Sequence, residues 1–230
     1  MPQSRLAIPE LLDKLEQFYG RQEADWPIEP YEFLVWWHCG YPASDDACTR
    51  GWKQLHDALG TRPHELLKAT LMQLCSALRS GGMFPELRAE RLKEIARRVQ
   101  DQMGGDLRGA LTGTLSEARK TLKAFPGIAD PGADRILLFA GIAPVAAIPS
   151  NAPHVLIRLR RGQEDDTYGK NYREAKRLIA TEVPETLDAR QRAFLLLKRH
   201  GQALCKRTKP KCAACLVSAQ CAFCRGPSNH

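Results

Sequence analysis

The segment CKRTKPKCAACLVSAQC, residues 205–221, contains half of the eight cysteines in this 230-residue chain: Cys205, Cys212, Cys215 and Cys221. Intervals of six, two and five residues separate them. Four thiolates this close in sequence can converge on one soft metal centre, either an iron–sulfur cluster or a zinc ion. Zinc sites usually pair their cysteines as two C-x2–4-C units, whereas here one close pair is flanked by two longer intervals. The segment therefore predicts a metal centre.

The composition is that of a basic chain with enough apolar residues to form a substantial core. It has 34 Lys and Arg against 26 Asp and Glu, a net charge of +8, and 43% hydrophobic residues. This charge favours a polyanionic partner, although a generally basic protein would also have it. No apolar stretch reaches the length of about 18 residues that a membrane span needs, and the N-terminus lacks the apolar region of a signal peptide. We therefore expect a cytoplasmic protein without a membrane partner, in which Cys39, Cys48 and Cys75 are buried thiols rather than disulfides.

Helical periodicity dominates the chain, and strand-like alternation is almost absent. The pattern predicts an amphipathic first helix around Leu11–Phe18 and a second, almost wholly apolar helix around Phe33–Trp37 at the centre of a domain. Short Gly and Pro segments separate the remaining predicted helices, which are Gly51–Leu59, Pro63–Arg79, Leu87–Met103, Leu115–Ala124, Pro131–Ala140, Ala152–Arg160, Tyr172–Thr181 and Asp188–Cys205. The predicted fold class is all-α.

A short hairpin motif lies between two of these helices. The sequence Phe125-Pro126-Gly127-Ile128-Ala129 separates Leu115–Ala124 from Pro131–Ala140. Gly127 permits a turn with positive φ, and the residues after it leave N–H groups free at a helix N-terminus, where a phosphate can bind. An ordinary turn between two helices would also explain the Pro-Gly pair.

Together, the cysteine spacing and the hairpin resemble the endonuclease III family of DNA glycosylases, in the HhH-GPD superfamily. That family has a C-x6-C-x2-C-x5-C signature and a helix–hairpin–helix whose hairpin reads L-P-G-hydrophobic-G. Weaker similarities are Pro30–Leu34 with Ser44-Asp45, the segment Tyr168–Asn171, and His200-Gly201 before the cysteines. The resemblance implies that Cys205, Cys212, Cys215 and Cys221 bind a [4Fe–4S] cluster. Cys224 falls three residues after the last of them and is most simply a free neighbour, although it could substitute for Cys221.

The resemblance also implies two helical lobes with duplex DNA in the groove between them. Residues 26–142 would form a six-helix barrel containing the helix–hairpin–helix at about 115–140. Residues 1–25 and 143–230 would form the cluster lobe. The implied protein is a monomer, associated with the nucleoid, that acts in base excision repair on damaged or distorted duplex DNA.

The catalytic positions depart from the family pattern. In the family, a lysine four residues after the first hairpin glycine attacks the sugar of the damaged nucleotide, and an aspartate in the next loop activates it. Pro131 occupies the lysine position and Pro149 the aspartate position, and proline has neither an amine nor a carboxylate. Without the aspartate, the oxocarbenium-like transition state loses its electrostatic partner. The glutamate of the adenine-removing branch is also missing, because its position falls at or next to Trp37. We therefore expect the standard glycosylase and AP-lyase chemistry to be lost.

Several residues are candidates for DNA contact or for substitute chemistry. Asp130 and Asn151 are the first candidates for an unconventional catalytic group, and helix capping is the simpler role for Asp130. Tyr41 and Phe84 fall at the positions that in the family fill the gap left by a flipped base, where they could stack on bases or equally be packed under the loops. The expected phosphate contacts are Pro126, Gly127, Ile128 and Ala129 in the hairpin, and Lys206, Arg207, Lys209 and Lys211 between the first two cysteines. Arg158 and Arg160 belong to a further basic set that we expect to face DNA.

Three functional hypotheses follow. The leading one is a [4Fe–4S] DNA-repair protein that binds duplex DNA without standard catalysis. The second is an active glycosylase that uses an unconventional residue. The third is an iron–sulfur electron carrier, which the net charge and the extent of the resemblance disfavour.

Overall fold

The computed structural model describes residues 6–150 and 152–226, and the described residues contain helices but no β-strand. The all-α prediction is confirmed. No helix in this described part of the chain is long and apolar enough to cross a membrane. The α-helices are α1 (Ile8–Tyr19), α2 (Pro30–His38), α3 (Asp45–Leu59), α4 (Pro63–Lys68), α5 (Leu71–Leu78), α6 (Pro85–Met103), α7 (Leu115–Lys123), α8 (Asp130–Phe139), α9 (Pro153–Arg161), α10 (Tyr168–Glu182), α11 (Leu187–Ala203) and α12 (Ala222–Arg225).

The chain divides into two compact units. One, which we call the inserted unit, is Ala24–Ile136; the other, the terminal unit, combines the described residues up to Glu23 with those from Leu137 onward. The unit boundaries lie at 23/24 and 136/137, so helix α8 crosses the second one. The lobe limits expected from the sequence, 25/26 and 142/143, stay a prediction.

Helix α2 is the centre of the inserted unit. Its side chains are all buried apart from Glu32, as the wholly apolar pattern predicted. Pro30 begins the helix, where no intrahelical N–H partner is needed, and the Glu29 carboxylate accepts a hydrogen bond from the Glu32 N–H at 2.9 Å. The guanidinium of Arg135 lies 3.7 Å from the ring centroid of Trp26 and is ion-paired with Asp45. This pair ties α8 to the start of α3.

The core of the terminal unit joins segments that are far apart in sequence. The apolar face of α1 packs with residues of α9, α10 and α11 in one cluster of buried side chains. Polar contacts support the same arrangement: Glu182 accepts a hydrogen bond from the Ile8 N–H at 3.0 Å, and Arg192 is ion-paired with Asp13 and Glu16. Helix α1 therefore depends on α10 and α11 for its position.

Three predicted helix limits were wrong. Helix α10 begins at Tyr168, whereas the sequence predicted Tyr172 as its first residue. The range Pro63–Arg79 is two helices rather than one, because Thr70 caps a new helix: its hydroxyl accepts from the Gln73 N–H, and the Gln73 side chain accepts from the Thr70 N–H. Helix α3 begins at Asp45 rather than at Gly51, because the Ser44 hydroxyl caps it.

Candidate metal centre and nucleic-acid interface

One apolar pocket in the terminal unit brings the C-terminal cysteines together. Leu11, Val155, Leu159 and Phe223 are among its apolar walls. The cysteines that line it are Cys205, Cys212, Cys215, Cys221 and Cys224. The four cysteines predicted as ligands and their neighbour therefore share one site.

In the structure these thiols interact with protein groups. The Cys221 Sγ lies 3.6 Å from the carbonyl oxygen of Arg158, and the Cys215 Sγ lies 3.8 Å from the Nε2 of His200. Burial raises the pKa of the Cys205 thiol to about 11. Across residues 6–150 and 152–226, no three His, Cys, Asp or Glu side chains are arranged as ligands of a metal ion. The chemistry of the donor set nevertheless fits a soft metal centre, since the pocket offers several half-buried thiols and apolar walls.

Two side chains of α9 hold the loop between the first two cysteines. The Arg158 guanidinium donates to the carbonyl oxygens of Lys206 and Arg207, each at 2.8 Å, and pairs with Glu164 at 2.8 Å. The Nε2 of His154 lies 2.7 Å from the carbonyl oxygen of Cys205. Both side chains are almost fully buried. They fix the loop backbone from the inside.

The loop itself presents its cations outward. All four of its basic side chains are exposed, namely Lys206, Arg207, Lys209 and Lys211. We call these residues the cationic loop. The sequence also predicts that Arg158 and Arg160 face DNA, but Arg158 is buried, and the side chain of Arg160 is 4% exposed and ion-paired with Glu182. That prediction is wrong because a periodic basic pattern does not distinguish an exposed arginine from one that spans a core and ends on a carboxylate.

The hairpin between α7 and α8 exposes unpaired backbone donors. Gly127 adopts φ +68°, a conformation that suits glycine. The Ile128 N–H donates to the Phe125 carbonyl oxygen at 3.3 Å, but in the described part of the chain the N–H groups of Gly127 and Ala129 have no backbone partner. Both residues are exposed, and so are Lys120 and Lys123 on the preceding helix. The free N–H groups and Lys120 favour an anion at the hairpin, whereas the Asp130 carboxylate, which is ion-paired with Lys123 at 2.6 Å, offsets the charge of that lysine.

Two residues of neighbouring helices support this hairpin. His38, on α2, is buried, with its Nδ1 at 2.8 Å from the Leu34 carbonyl oxygen and its Nε2 at 2.8 Å from the Pro126 carbonyl oxygen. Burial is the main reason why its pKa is lowered to about 4. Arg98, on α6, donates to the Ala124 carbonyl oxygen. The backbone on both sides of Phe125 is thus fixed from within the inserted unit.

The prolines that the resemblance aligns with the family's lysine and aspartate have no titratable side chain. Pro131 lies in the first turn of α8, and Pro149 is buried, with its carbonyl oxygen accepting from the Ala152 N–H at 2.9 Å. Asp130 begins α8 and is half exposed, and its carboxylate pairs with the Lys123 ammonium at 2.6 Å. Asn151, the other substitute proposed from the sequence, lies outside the described residues.

Tyr41 and Phe84 differ in how freely they can reach a partner. Tyr41 is stacked on Trp37, with ring centroids 4.2 Å apart, and is 37% exposed. Phe84 is 64% exposed and adopts φ +58° immediately before α6. Met83 beside it is 76% exposed. Phe84 is therefore presented to solvent, whereas Tyr41 has an internal stacking partner.

Sequence reasoning missed Arg88 and the supporting role of Arg158. Arg88 is buried, and its guanidinium donates to several carbonyl oxygens around the loops that carry Tyr41 and Phe84. An arginine on an amphipathic helix usually faces solvent, so no local pattern identifies this contact. The sequence feature that could have indicated a close approach of two backbones near Arg88 is the glycine pair at 81 and 82.

Known proteins provide an independent comparison. No protein-family model matches the sequence. Endonuclease III of Escherichia coli strain K12 is 22% identical over 194 residues, which is 84% of each chain. A trapped endonuclease III–DNA covalent intermediate superposes with a TM-score of 0.76 at 19% identity over 95% of both chains, and a thermostable thymine-DNA glycosylase with 0.73 at 21% identity over 95% and 96%. The chain therefore has the endonuclease III-like helix–hairpin–helix fold, and the resemblance predicted from the sequence is confirmed at the level of fold.

Proposed function

We propose that this protein binds duplex DNA at damaged or distorted sites and acts in base excision repair without the standard lysine and aspartate chemistry. The observation that carries the proposal is the hairpin at Gly127, where the N–H groups of two exposed residues have no backbone partner and the preceding helix carries Lys120 and Lys123, the latter ion-paired with Asp130. Such a site matches the charge and the acceptor geometry of a backbone phosphate. It reads no sequence, so specificity has to come from the shape of the DNA.

The cationic loop is the second proposed phosphate contact. Its four side chains are exposed, and its backbone is held by Arg158 and His154. A fixed loop loses less conformational entropy on binding than a mobile one. We therefore assign to it affinity and register on DNA rather than sequence preference.

We assign a [4Fe–4S] cluster to Cys205, Cys212, Cys215 and Cys221. The support is the shared pocket, the donor chemistry and the spacing of the cysteines. When bound, the cluster supplies four metal–thiolate bonds that close the loops between its ligands. The chain's own contribution is the apolar wall that excludes water and the Arg158 guanidinium, whose Nη1 lies 3.9 Å from the Cys205 Sγ.

Exposed apolar side chains complete the proposed recognition. Phe84 and Tyr41 offer aromatic faces on which an unstacked base can pack, a contact worth about 1–3 kcal/mol per base. Bases in intact duplexes are already stacked, so this gain is available mainly at lesions and mismatches. In this proposal the protein recognises the damaged site through these stacking contacts. With Pro131 and Pro149 in place of the lysine and the aspartate, it does not cleave the DNA at that site by the standard chemistry.

The proposal is tested by fluorescence anisotropy with short duplexes that are intact, mismatched or abasic, together with a panel of duplexes that carry damaged bases. We expect binding to all duplexes, tightest at the abasic site, and no release of a base. Binding to none of them would overturn the proposal and favour the electron carrier. Base release that disappears in Asp130→Asn or Asn151→Ala would establish the unconventional glycosylase instead.

A further inference from the structure

Two exposed loops of the inserted unit meet at one buried arginine. The first, which we call the Tyr41 loop, is residues 39–43; the second, the Phe84 loop, is residues 78–84. The Arg88 guanidinium donates to the carbonyl oxygens of Leu78 at 3.0 Å, Gly82 at 2.6 Å and Met83 at 3.0 Å. It also donates to the carbonyl oxygen of Cys39 in the other loop. Four carbonyl groups from two loops thus converge on one side chain.

The contact between the loops is close as well as polar. A Cβ atom on Gly81 would overlap the Cys39 carbonyl oxygen, and one on Gly82 would lie 3.5 Å from the Cβ of Ala43. The backbones of the two loops therefore touch. Neither can shift by the width of a methyl group without displacing the other.

Arg88 is well suited to hold this contact. Its side chain is 2% exposed, and it forms no ion pair with a carboxylate in the part of the chain that the structure describes. Its hydrogen-bond partners are carbonyl oxygens, the Glu86 carboxylate acts on its charge from nearby, and the carbonyl groups depend on Arg88 in turn. Removing the guanidinium would leave acceptors unsatisfied in both loops at once.

We propose that Arg88 is a positioning residue that locks the Tyr41 loop and the Phe84 loop together, so that Tyr41 and Phe84 engage an unstacked site in DNA as one unit. This inference rests on the proposed function. It adds the residue through which the DNA contacts of Tyr41 and of Phe84 become cooperative. Neither Tyr41 nor Phe84 is bonded to Arg88 through its side chain. Arg88 acts only through the backbone of the two loops.

The test measures the ratio of affinities for a duplex with a tetrahydrofuran abasic site and for the same duplex intact. Arg88→Gln should lower this ratio about tenfold, the loss expected when one base-stacking contact is weakened, with affinity for the intact duplex unchanged. Arg88→Lys should recover part of it. The matched control is Arg97→Lys, an exposed arginine on the same helix, which should keep the wild-type ratio.

A double-mutant cycle separates positioning from simple support of the fold. In the wild type, the effects of Tyr41→Ala and Phe84→Ala on the ratio should be coupled, whereas in Arg88→Lys they should add independently. Hydrogen exchange in residues 39–43 and 78–84 should rise together in Arg88→Lys. If Arg88→Gln does not fold, the Arg88→Lys cycle gives the result.

The outcomes distinguish this inference from the proposed function. Unchanged ratio and coupling in folded Arg88→Lys would overturn the inference alone, as would a wild type that binds DNA without preferring the abasic site. A wild type that binds no duplex would overturn both.

Discussion

At the scale of single residues, the proposed loss of standard chemistry rests on Pro131 and Pro149, which the resemblance aligns with the family's lysine and aspartate. Neither side chain can attack a sugar carbon or stabilise a cation, and Pro149 is buried as well. We expect borohydride to trap no covalent complex with abasic DNA through residue 131, and strand cleavage at abasic sites to be absent. The measurement is denaturing gel electrophoresis after reduction.

Restoring the two groups provides the matching experiment. Pro131→Lys with Pro149→Asp should give a small trapped fraction at most, because both prolines also shape the local backbone and the reacting groups need a fitted geometry. Efficient trapping by the unmodified chain would contradict this prediction and would require another amine.

His38 predicts a pH dependence of stability. Both ring nitrogens of His38 lie next to carbonyl oxygens, and a neutral imidazole can donate a hydrogen bond to only one of them, whereas an imidazolium could donate to both. Burial outweighs this gain and lowers the pKa of His38 from 6.5 to about 4. As the pH falls from 6.5 to 4, His38 therefore becomes protonated in the unfolded chain but stays neutral in the folded chain. Stability should fall from pH 6.5 to pH 4, with His38 contributing about 3 kcal/mol of the loss.

Urea unfolding at several pH values measures this contribution. His38→Gln should unfold with a smaller dependence on pH, since the amide does not titrate. His56→Gln, which changes an exposed histidine of the same unit, should unfold with the wild-type dependence. An unaltered pH profile in His38→Gln would show that His38 is not responsible.

At the scale of elements, the cationic loop predicts a uniform effect on DNA affinity. Changing Lys206, Arg207, Lys209 and Lys211 to neutral residues should weaken binding to intact and abasic duplexes alike. The slope of log affinity against log salt should fall by about 0.9 for each phosphate that the loop no longer neutralises. Anisotropy titrations at several salt concentrations give the slope. The control is neutralisation of Lys53 and Lys68 in the inserted unit; a slope unaffected by the loop changes would place the loop away from DNA.

The elements also show which features a sequence can predict. The period of α1 and the apolar run of α2 predicted both helices, because burial of one face or of a whole helix leaves a direct pattern. The break between α4 and α5 was missed because the apolar pattern continues across it, although Thr70 and Gln73 form a recognisable capping box.

In the candidate site too, the sequence predicted only the residues whose signal is local in sequence. The cysteines and Gly127 were predicted because spacing and turn chemistry are local in sequence. Arg88 and Arg158 were not, because each acts on backbone groups that only the folded chain brings near: Arg88 reaches Cys39, 49 residues away, and Arg158 reaches Lys206, 48 residues away. Their roles depend on tertiary contacts that no periodicity encodes.

At the scale of the whole molecule, the cysteine pocket predicts iron content and stability together. Anaerobically purified protein should contain about four irons per chain. Cys212→Ala should lose the iron and unfold its terminal unit more readily, since metal binding and local folding are coupled. Metal analysis and thermal unfolding measure these effects. Stoichiometric zinc with negligible iron would contradict the prediction.

Cys224 allows a test of which cysteines bind the iron. It lies in α12 and lines the same pocket as Cys221, the residue immediately before that helix. We expect Cys221→Ala to keep most of its iron, with Cys224 as the replacement ligand, and the double variant Cys221→Ala/Cys224→Ala to lose it. Cys75→Ala, outside the pocket, is the control. Complete loss of iron in Cys221→Ala alone would leave Cys224 as a free neighbour.

The terminal unit is assembled from two distant parts of the chain, and this governs the order of events during synthesis. Glu16 leaves the ribosome 176 residues before its partner Arg192. At about 5–20 residues per second, the apolar face of α1 waits on the order of ten to thirty seconds for the helices that cover it. The inserted unit has all of its own residues well before then. The apolar face of α1 therefore stays uncovered after the inserted unit has been synthesised, and the pocket to which Leu11 contributes closes only once residues 205–224 have followed.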